Sequence, residues 1–511
     1  MQSIGRLAFS GLFVILLVTS GGALSQTTPV EAARRFRQTH EREIVNELRE
    51  LLAIPNVASD MVNIRLNAAQ IRSLLERRGV TTRLLEASNA PPVVFGDLKT
   101  PGAQRTMTFY AHYDGQPVEP AKWVGGSPFK PVLRTGEPDG TGREIAWPGA
   151  GVAFDPEWRI FSRSASDDKA PIIAILAALD SLKAAGINPG WNIKFFFEGE
   201  EEAGSPHLEE IVNRHGDLLA SDLWLICDGP VEQNRRQQVF FGVRGVTSLE
   251  LTVYGPRREL HSGHYGNWAP NPAMMLARLL ASMKDDDGGV LIDGYYDGIE
   301  PLGETEKRAL DEASDIDAQL KEEIGIARTE GNGRKLIEML TLPSLNIRGM
   351  ESASVGETAR NVIPSTARAA IDIRLVKGID YRVEFQRLIS HIRKQGYHVV
   401  DQEPDMATRL QHARVVKVVW NKGYNAARTS MDLEISRQVI GAVESARGRV
   451  TRMPTLGGSV PLYVFTDILK TPTIGIPIAN HDNNQHSSNE NLRLQNLWDA
   501  IEVMAALITM R

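Results

Sequence analysis

The sequence is poor in cysteine and has no surplus of basic residues, and each shortage excludes a class of protein. Cys227 is the only cysteine among 511 residues, which excludes an intrachain disulfide and a cysteine-rich zinc finger. The 57 lysines and arginines are outnumbered by 63 aspartates and glutamates, for a formal net charge of −6. Nucleic acid is therefore not expected as a partner, because no excess of positive charge is available to neutralise phosphates.

Long hydrophobic runs are also scarce, and the one that stands out lies at the N-terminus. An apolar stretch over residues 7–18 follows Arg6, and the small residues Ala23 and Ser25 come shortly after it. This pattern is typical of a secretory signal peptide over residues 1–25. The run is shorter than the roughly 20 apolar residues of a spanning helix, although an uncleaved membrane anchor stays open. The sequence predicts export to the periplasm or the medium, without membrane attachment after cleavage.

Short, mainly apolar runs alternate with a helical pattern in the first half of the chain. Residues 107–110, 193–197 and 223–226 form such runs, and residues 171–185 between them have apolar residues at helical spacing. This alternation predicts an α/β fold with a mostly parallel central sheet and helices on both faces. In such sheets ligands gather at the C-terminal ends of the strands, so the residues that follow each run are candidates for a site.

Near the middle of the chain the pattern changes to alternating strands and amphipathic helices. We predict a smaller α+β lid or dimerisation domain over residues 243–425, inserted between two parts of a catalytic domain, 26–242 and 426–511. Within the insertion, residues 303–338 are rich in charge and are predicted to be solvated and partly helical. Residues 117–158 are rich in glycine and proline without a clear period, which predicts a long loop beside the site.

Acids and histidines follow three of the predicted strands. His112 and Asp114 would share one face of an extended segment. Residues 198–202 place four carboxylates within five positions, and Asp228 follows the next run. The acid pair at residues 167–168 starts a helix, where capping is an equally simple explanation.

The number and kind of these side chains favour a metal centre. Buried carboxylates at such density need a counter-charge, and carboxylate with imidazole ligands suits Zn²⁺ or Mn²⁺. Two divalent ions and one hydroxide would about neutralise three carboxylates. The composition of the site therefore favours a two-metal hydrolytic centre.

Four motifs give the chain a specific likeness to a known family. They are Ser166-Asp167-Asp168-Lys169, Leu260-His261-Ser262-Gly263, Gly457-Gly458-Ser459-Val460-Pro461 and His486-Ser487-Ser488-Asn489-Glu490. With them the chain resembles the metallopeptidase family of carnosine dipeptidase, glutamate carboxypeptidase, aminoacylase and succinyl-diaminopimelate desuccinylase, and most of all its dipeptidase branch. The resemblance covers essentially the whole chain after the signal segment. It implies a dinuclear-metal hydrolase that cleaves the amide bond of dipeptides or of C-terminal amino acids.

The resemblance also implies a role for each site residue. Two divalent ions, Zn²⁺ or alternatively Mn²⁺, would have five protein ligands: His112, Asp167 and Asp228 for one ion, and Asp167, Glu202 and His486 for the other, with Asp167 bridging. A cis peptide is implied between Asp167 and Asp168. The catalytic residues would be Glu201 as general base, Asp114 as the residue that orients His112, and His261, which would reach the active site of the partner in a homodimer and stabilise the oxyanion. The substrate would be bound by Asn361, Arg374, Gly458 and Ser459.

The chain departs from the family pattern at two places. Residues 162–164 read Ser-Arg-Ser where relatives have Gly-Arg-Gly, and Ala170 replaces a glycine. Neither change touches a predicted ligand, but both add a Cβ atom to permissive backbone. Two other functions stay open: an N-acyl amino acid deacylase of the same family, and a non-catalytic binding protein on the same scaffold. The second would be expected to lack ligands, and here all are present.

Overall fold

The computed structural model describes Met1 and residues 27–125, 127–137 and 142–511. The predicted signal segment therefore lies, apart from Met1, outside the described residues. Among the helices of the described residues, none combines the length and the apolar character that crossing a membrane requires.

The secondary structure comprises short strands and helices throughout the described chain. The strands are β1 (Thr81–Leu85), β2 (Val93–Leu98), β3 (Thr106–His112), β4 (Val132–Arg134), β5 (Glu144–Ile145), β6 (Arg159–Phe161), β7 (Asn192–Glu198), β8 (Leu223–Ile226), β9 (Gln238–Phe240), β10 (Gly242–Val243), β11 (Gly245–Tyr254), β12 (Leu260–His261), β13 (Ser344–Glu351), β14 (Val362–Ile363), β15 (Thr366–Leu375), β16 (His398–Val400), β17 (Val415–Tyr424), β18 (Ala427–Arg428), β19 (Thr451–Met453), β20 (Thr473–Gly475) and β21 (Asn491–Arg493). The helices are α1 (Pro29–Leu52), α2 (Met61–Glu76), α3 (Lys169–Ala184), α4 (Leu208–Arg214), α5 (Gly216–Leu219), α6 (Ser262–Tyr265), α7 (Pro272–Ala281), α8 (Glu304–Glu312), α9 (Asp317–Ile324), α10 (Leu336–Met339), α11 (Tyr381–Lys394), α12 (Met406–Gln411), α13 (Glu434–Arg447) and α14 (Leu494–Ile508).

The central sheet has the strand order β1-β2-β7-β3-β8-β20-β9-β19, and four of its seven neighbouring pairs are parallel. Both faces are covered, as the continuous apolar runs predict. In β7 the fully buried rings of Phe195 and Phe197 join one hydrophobic core, and that of Phe196 joins another. Helices α1, α3 and α14 pack against one another. The predicted α/β fold class is confirmed, with a sheet that is mixed at its edges.

A second sheet, of order β13-β15-β11-β17-β16, has its own hydrophobic core. Its strands all lie between residues 245 and 424, inside the range predicted for the inserted domain. The core includes Leu251 and Ile371 from neighbouring strands and Leu388 from α11. The assignment of domain boundaries stays a prediction.

A third sheet brings two loops of the candidate site together. It has the order β21-β6-β4-β5, so the prediction that residues 117–158 form only a loop is wrong for β4 and β5. The short, Gly- and Pro-flanked strands give no alternating pattern long enough to recognise. Phe161 of β6 pairs with Asn491 of β21. Asp167 comes six residues after that pair and His486 five residues before it, so the pairing sets the two loops side by side.

Gly475 in β20 provides a test of the packing in the central sheet. A Cβ atom at this position would overlap the ring of Phe240 on the adjacent β9. We expect Gly475→Ala to lower the free energy of unfolding by about 1–3 kcal/mol or more, because overpacking forces strand or ring to shift. Urea denaturation would measure the change.

The matched control is Gly441→Ala in the middle of α13, where an added Cβ atom meets no heavy atom within 4 Å. There the same substitution should stabilise by about 0.5–1 kcal/mol, because alanine is the better helix former. Equal effects at the two sites would contradict the packing described for β9 and β20.

Candidate metal centre

Three neighbouring strands end at the candidate site. Strands β7, β3 and β8 are adjacent and parallel, so their C-terminal ends lie at one edge of the sheet. His112 is the last residue of β3, and Asp228 follows β8 by two residues. Beyond β7 the chain makes a short 3₁₀ turn over Glu201–Ala203, which carries Glu201 and Glu202. The residues predicted from the ends of the apolar runs are thus delivered to one place by the topology of the sheet.

Asp167 lies between two histidines at this edge. One carboxylate oxygen, Oδ1, is 2.9 Å from Nε2 of His112. The other, Oδ2, is 3.2 Å from Nε2 of His486, which is itself 3.3 Å from Oε2 of Glu202. A single carboxylate therefore contacts residues of both predicted ligand sets, which is the position that a bridging ligand requires.

The described residues contain two groups with ligand atoms close enough for a metal ion. Asp167, Glu202 and His486 form one group, and His112, Asp168 and Asp228 form the other, with all ligand atoms of a group within 4.8 Å of one another. Asp168 was not among the predicted ligands; its Oδ2 accepts a hydrogen bond from the backbone N–H of His112, at 3.2 Å. The peptide bond between Asp167 and Asp168 is cis, as the resemblance implies.

The electrostatics of the centre show crowded negative charge. Burial raises the pKa of Asp228 to about 6 and that of Glu202 to about 7, and the charge of Asp167 adds to both shifts. Burial likewise raises the pKa of Glu201 well above its ordinary value. Burial opposes ionisation of Asp167 as well, but contacts with His112 and His486 outweigh it and hold the pKa of Asp167 below its usual range.

The residues present fit divalent metal ions. Their donor atoms are carboxylate oxygens and imidazole nitrogens, the ligands of Zn²⁺ and Mn²⁺. Oδ1 of Asp168 is buried and has no hydrogen-bond partner among the described residues, and burial together with the charge of Asp228 raises the pKa of this carboxyl. Cations bound among these oxygens would offset the repulsion between the carboxylates and would give Oδ1 of Asp168 a partner.

Asp114 connects His112 to the turn that carries the two glutamates. Its carboxylate accepts hydrogen bonds from the backbone N–H groups of Glu201, at 3.1 Å, and Glu202, at 3.0 Å. Its Oδ1 also lies 3.3 Å from Nδ1 of His112. The carboxylate of Glu201 reaches to 4.0 Å from Nε2 of His112. One buried aspartate thus holds the histidine and the turn in a fixed relation, which is the geometry that an orienting residue needs.

Ser164, one of the departures from the family pattern, has a positive φ of 60°. Its hydroxyl accepts a hydrogen bond from Nδ2 of Asn56, at 2.7 Å, and donates one to the carbonyl of Asp114, at 3.2 Å. The left-handed backbone explains why glycine would suit this position. In this chain two hydrogen bonds stabilise a serine there.

Glu490 is a residue of this site that the sequence reasoning missed. It is fully buried, and its Oε1 accepts hydrogen bonds from the hydroxyl and the backbone N–H of Ser166 and from the backbone N–H of Asp167. Its Oε2 accepts from the backbone of Ser164 and from Nη1 of Arg163. Since Glu490 ends the motif that begins with His486, it ties the loop of His486 to the loop of Asp167. Its place in that motif was the only signal.

We expect Glu490→Gln to weaken metal binding by about 10- to 100-fold, the usual effect of losing a residue that positions ligands. The amide cannot accept from all five donors and leaves Arg163 without its counter-charge. Calorimetric titration with Zn²⁺ would measure the affinity. Glu210→Gln on the surface of α4, which breaks an exposed pair with Arg214, should leave it unchanged. Unaltered affinity in Glu490→Gln would refute the positioning role.

The predicted substrate-binding residues fall into two places. Nη1 of Arg374 donates a hydrogen bond to Oγ of Ser459, at 2.7 Å, and the carbonyl of Gly458 accepts one from the backbone of Arg244, at 3.2 Å. These three predicted residues, Arg374, Gly458 and Ser459, therefore lie close together. His261, the last residue of β12, and Asn361, which directly precedes β14, are exposed in another place, at one end of the β12–β14 pair. In the described part of the chain, no hydrogen bond or ion pair joins either of them to the metal-centre side chains.

A mixed central sheet with an acid–histidine centre at the ends of its parallel strands is the arrangement expected of a metal-dependent hydrolase. The chain belongs to peptidase family M20/M25/M40, whose family model matches residues 108–510. It is accordingly an enzyme, a metallopeptidase.

Several named proteins are similar to this chain over nearly the whole length of both. The Cys-Gly metallodipeptidase dug1 of Schizosaccharomyces pombe is 25% identical over 484 residues, which cover 91% of this chain and 95% of the relative. The Beta-Ala-His dipeptidase of Homo sapiens is 27% identical over 526 residues, with coverage of 98% and 96%. Among solved structures, the M20 family metallo-carboxypeptidase Sso-CP2 of Sulfolobus solfataricus superposes with a TM-score of 0.75 at 25% identity, covering 92% of this chain and 99% of that chain.

Proposed function

We propose that this protein is an exported dipeptidase that uses two divalent metal ions to cleave the amide bond of dipeptides or of C-terminal amino acids. The observation that carries the proposal is the position of Asp167 between the two ligand groups, with Glu201 beside them. The similarity to proteins named as dipeptidases supports the choice of substrate.

The proposed ligands divide around the shared carboxylate. His112, Asp167 and Asp228 would hold one ion, and Asp167, Glu202 and His486 the other. We propose Zn²⁺ at both positions, with Mn²⁺ as the alternative. When bound, such ions act as Lewis acids and lower the pKa of water towards 7.

Glu201 is the proposed general base. Its carboxyl group is partly buried and has a raised pKa, so it can take up the proton of the attacking water and hand it to the leaving amine. Asp114 fixes the backbone of Glu201 through a hydrogen bond of 3.1 Å. Both proton transfers need a base whose position is fixed, and the hydrogen bond between Glu201 and Asp114 fixes that position.

The proposed substrate contacts favour short substrates with a free C-terminus. Arg374 and Ser459 already share a hydrogen bond, and together with Gly458 they would bind a terminal carboxylate by charge-assisted hydrogen bonds. Asn361 would bind polar atoms of the same substrate. His261 would stabilise the developing oxyanion from the partner subunit.

The proposal of a homodimer has physical support in the second sheet. Strand β13 is an edge strand, and residues 346–351 are exposed along it. Exposed edges pair readily with another chain. Large apolar side chains are also exposed in this part of the chain, among them Trp268 at 80% and Val355 at 86%. Sedimentation equilibrium would measure the oligomeric state.

A panel of dipeptides and N-acyl amino acids, run on metal-loaded protein with and without a chelator, tests the proposed function. We expect chelator-sensitive release of amino acids from dipeptides. Faster turnover of the N-acyl amino acids would identify the deacylase alternative, and no turnover with full metal content would favour the non-catalytic one. Sequencing the N-terminus of exported protein tests whether the mature chain begins at Gln26.

A further inference from the structure

The second sheet borders a cavity of about 830 Å³ that the proposed function does not use. It lies between the start of β13 and the charged insertion, and none of the proposed metal ligands lines it. Its lining is mostly apolar and includes Ile299, Leu320, Ile324, Ile326, Leu336 and Met339. Sites for small molecules have volumes of about 300–1,000 Å³ and linings of this kind. The size therefore fits a small molecule.

Part of this apolar lining is open to water. Ile324 is 56% exposed, Ile326 41% and Leu336 42%. Three large apolar side chains that face one concavity, rather than being scattered over the surface, indicate a binding site. An apolar chain placed between them would remove this surface from water.

Arg244, in the wall of the same cavity, is a buried cation that forms no ion pair with any of the described residues. It is only 6% exposed, and Nη2 donates to the carbonyl of Leu342 and to Oγ of Ser344, both at 2.8 Å. Its Nε has no hydrogen-bond partner, and no carboxylate forms an ion pair with it, within the described ranges of the chain. Burial, with the charge of Arg374, lowers the pKa of Arg244 to about 10. The guanidinium thus stays charged at neutral pH.

The lining contains four other arginines and lysines, all of them less buried than Arg244: Lys284, Lys321, Arg328 and Arg334. Two of the four form ion pairs. Lys284 is 2.8 Å from Glu330, and Arg328 is 3.6 Å from Asp287. These pairs are partly exposed and are compensated by solvent. An unpaired charge that is buried is far less favourable, so Arg244 is the lining residue that an anion would stabilise most.

We propose that this cavity binds a small carboxylate with an apolar chain, the carboxylate lying on the Arg244 guanidinium and the chain along Ile324, Ile326 and Leu336. A planar carboxylate matches the fork of guanidinium donors. The proposal does not depend on the proposed metal chemistry, because no proposed metal ligand lines the cavity. Arg244 contacts the proposed substrate residue Gly458 through its backbone N–H group, which leaves the guanidinium free to face the cavity.

Calorimetric titration of the full protein with decanoate, below its micellar concentration, tests this site. We expect saturable binding that Arg244→Gln weakens by about tenfold or more, because a charge-assisted contact is lost. Arg244→Lys should weaken binding less. Leu336→Trp, which fills the cavity without touching Arg244, should also weaken it by about tenfold. Arg328→Gln removes the same charge from the exposed rim and should change the affinity less than twofold.

Two further comparisons separate this site from its alternatives. Carboxylates also bind metal ions, so binding at the metal centre has to be told apart from binding in the cavity. Chelator-treated protein and metal-loaded protein should bind decanoate with equal affinity. 1-Decanol, which has the chain without the charge, should bind at least tenfold more weakly. The proposal is overturned by absence of saturable binding, by equal binding of 1-decanol, or by wild-type affinity in both Arg244→Lys and Leu336→Trp. Those two variants decide the matter if circular dichroism shows that Arg244→Gln does not fold.

Discussion

Glu201→Gln is expected to lower kcat by about 10²- to 10⁴-fold while the protein keeps its full metal content, because the amide cannot take up a proton. The substitution preserves the size of the side chain. It also leaves the backbone hydrogen bond from residue 201 to Asp114 intact, since the donor there is the main-chain N–H group. The proposed metal ligands Asp167, Glu202 and His486 are untouched, so loss of activity and loss of metal become separable.

The measurement combines steady-state kinetics on a dipeptide with metal analysis of the same sample. Glu200→Gln is the matched control, because Glu200 is the adjacent acid but its carboxylate accepts from the backbone of His207, at 3.0 Å, and also contacts the ring. It should keep kcat within a few-fold of the wild-type value. A Glu201→Gln protein with wild-type kcat would remove Glu201 from the role of base.

The part of the site that could be predicted from the sequence is the part that depends on local pattern. An apolar run that ends in an acid or a histidine identifies the C-terminal end of a buried strand, and adjacent parallel strands bring such ends together. This pattern predicts His112, Asp228 and the run of acids at residues 198–202 as candidates. The resemblance selects Glu202 from that run and implies ligand roles for Asp167 and His486, which lie in loops without a periodic pattern.

The remaining features depend on contacts that no local pattern encodes. Glu490 and Asp167 are 323 positions apart in the sequence and meet only because β6 pairs with β21. From the sequence alone, a glutamate at the end of a loop is expected to be exposed, so the burial of Glu490 could not be predicted. Arg244 follows a short strand and gives no sign that its guanidinium is buried without a carboxylate. The mixed edges of the central sheet are equally hidden, since β2 and β7 are apolar runs whether they pair parallel or antiparallel.

Removing the shared carboxylate should have the widest effect on metal binding. Asp167 Oδ1 lies 2.9 Å from His112 and Oδ2 3.2 Å from His486, so Asp167→Asn takes a charged ligand from both proposed ion positions at once. We expect more than about 100-fold weaker binding of two Zn²⁺ ions per chain and loss of peptidase activity, since removing a ligand should exceed the 10- to 100-fold effect of removing its supporting residue. Titration in chelator-buffered Zn²⁺ would give both affinities.

Variants that each remove a carboxylate from only one proposed ion position provide the comparison for this prediction. Asp228→Asn removes a carboxylate from the group around His112, and Glu202→Gln removes one from the group around His486, so each should weaken chiefly one of two binding steps. Their effects on the two steps should differ from each other, whereas Asp167→Asn should weaken both. If Asp167→Asn instead weakened a single step and left the other at wild-type affinity, the carboxylate would belong to one ion and the proposed bridge between the two groups would be wrong. The acid that holds the second position would then be sought in Asp168, whose Oδ1 is buried without a hydrogen-bond partner among the described residues and whose carboxylate lies in the same group as His112 and Asp228.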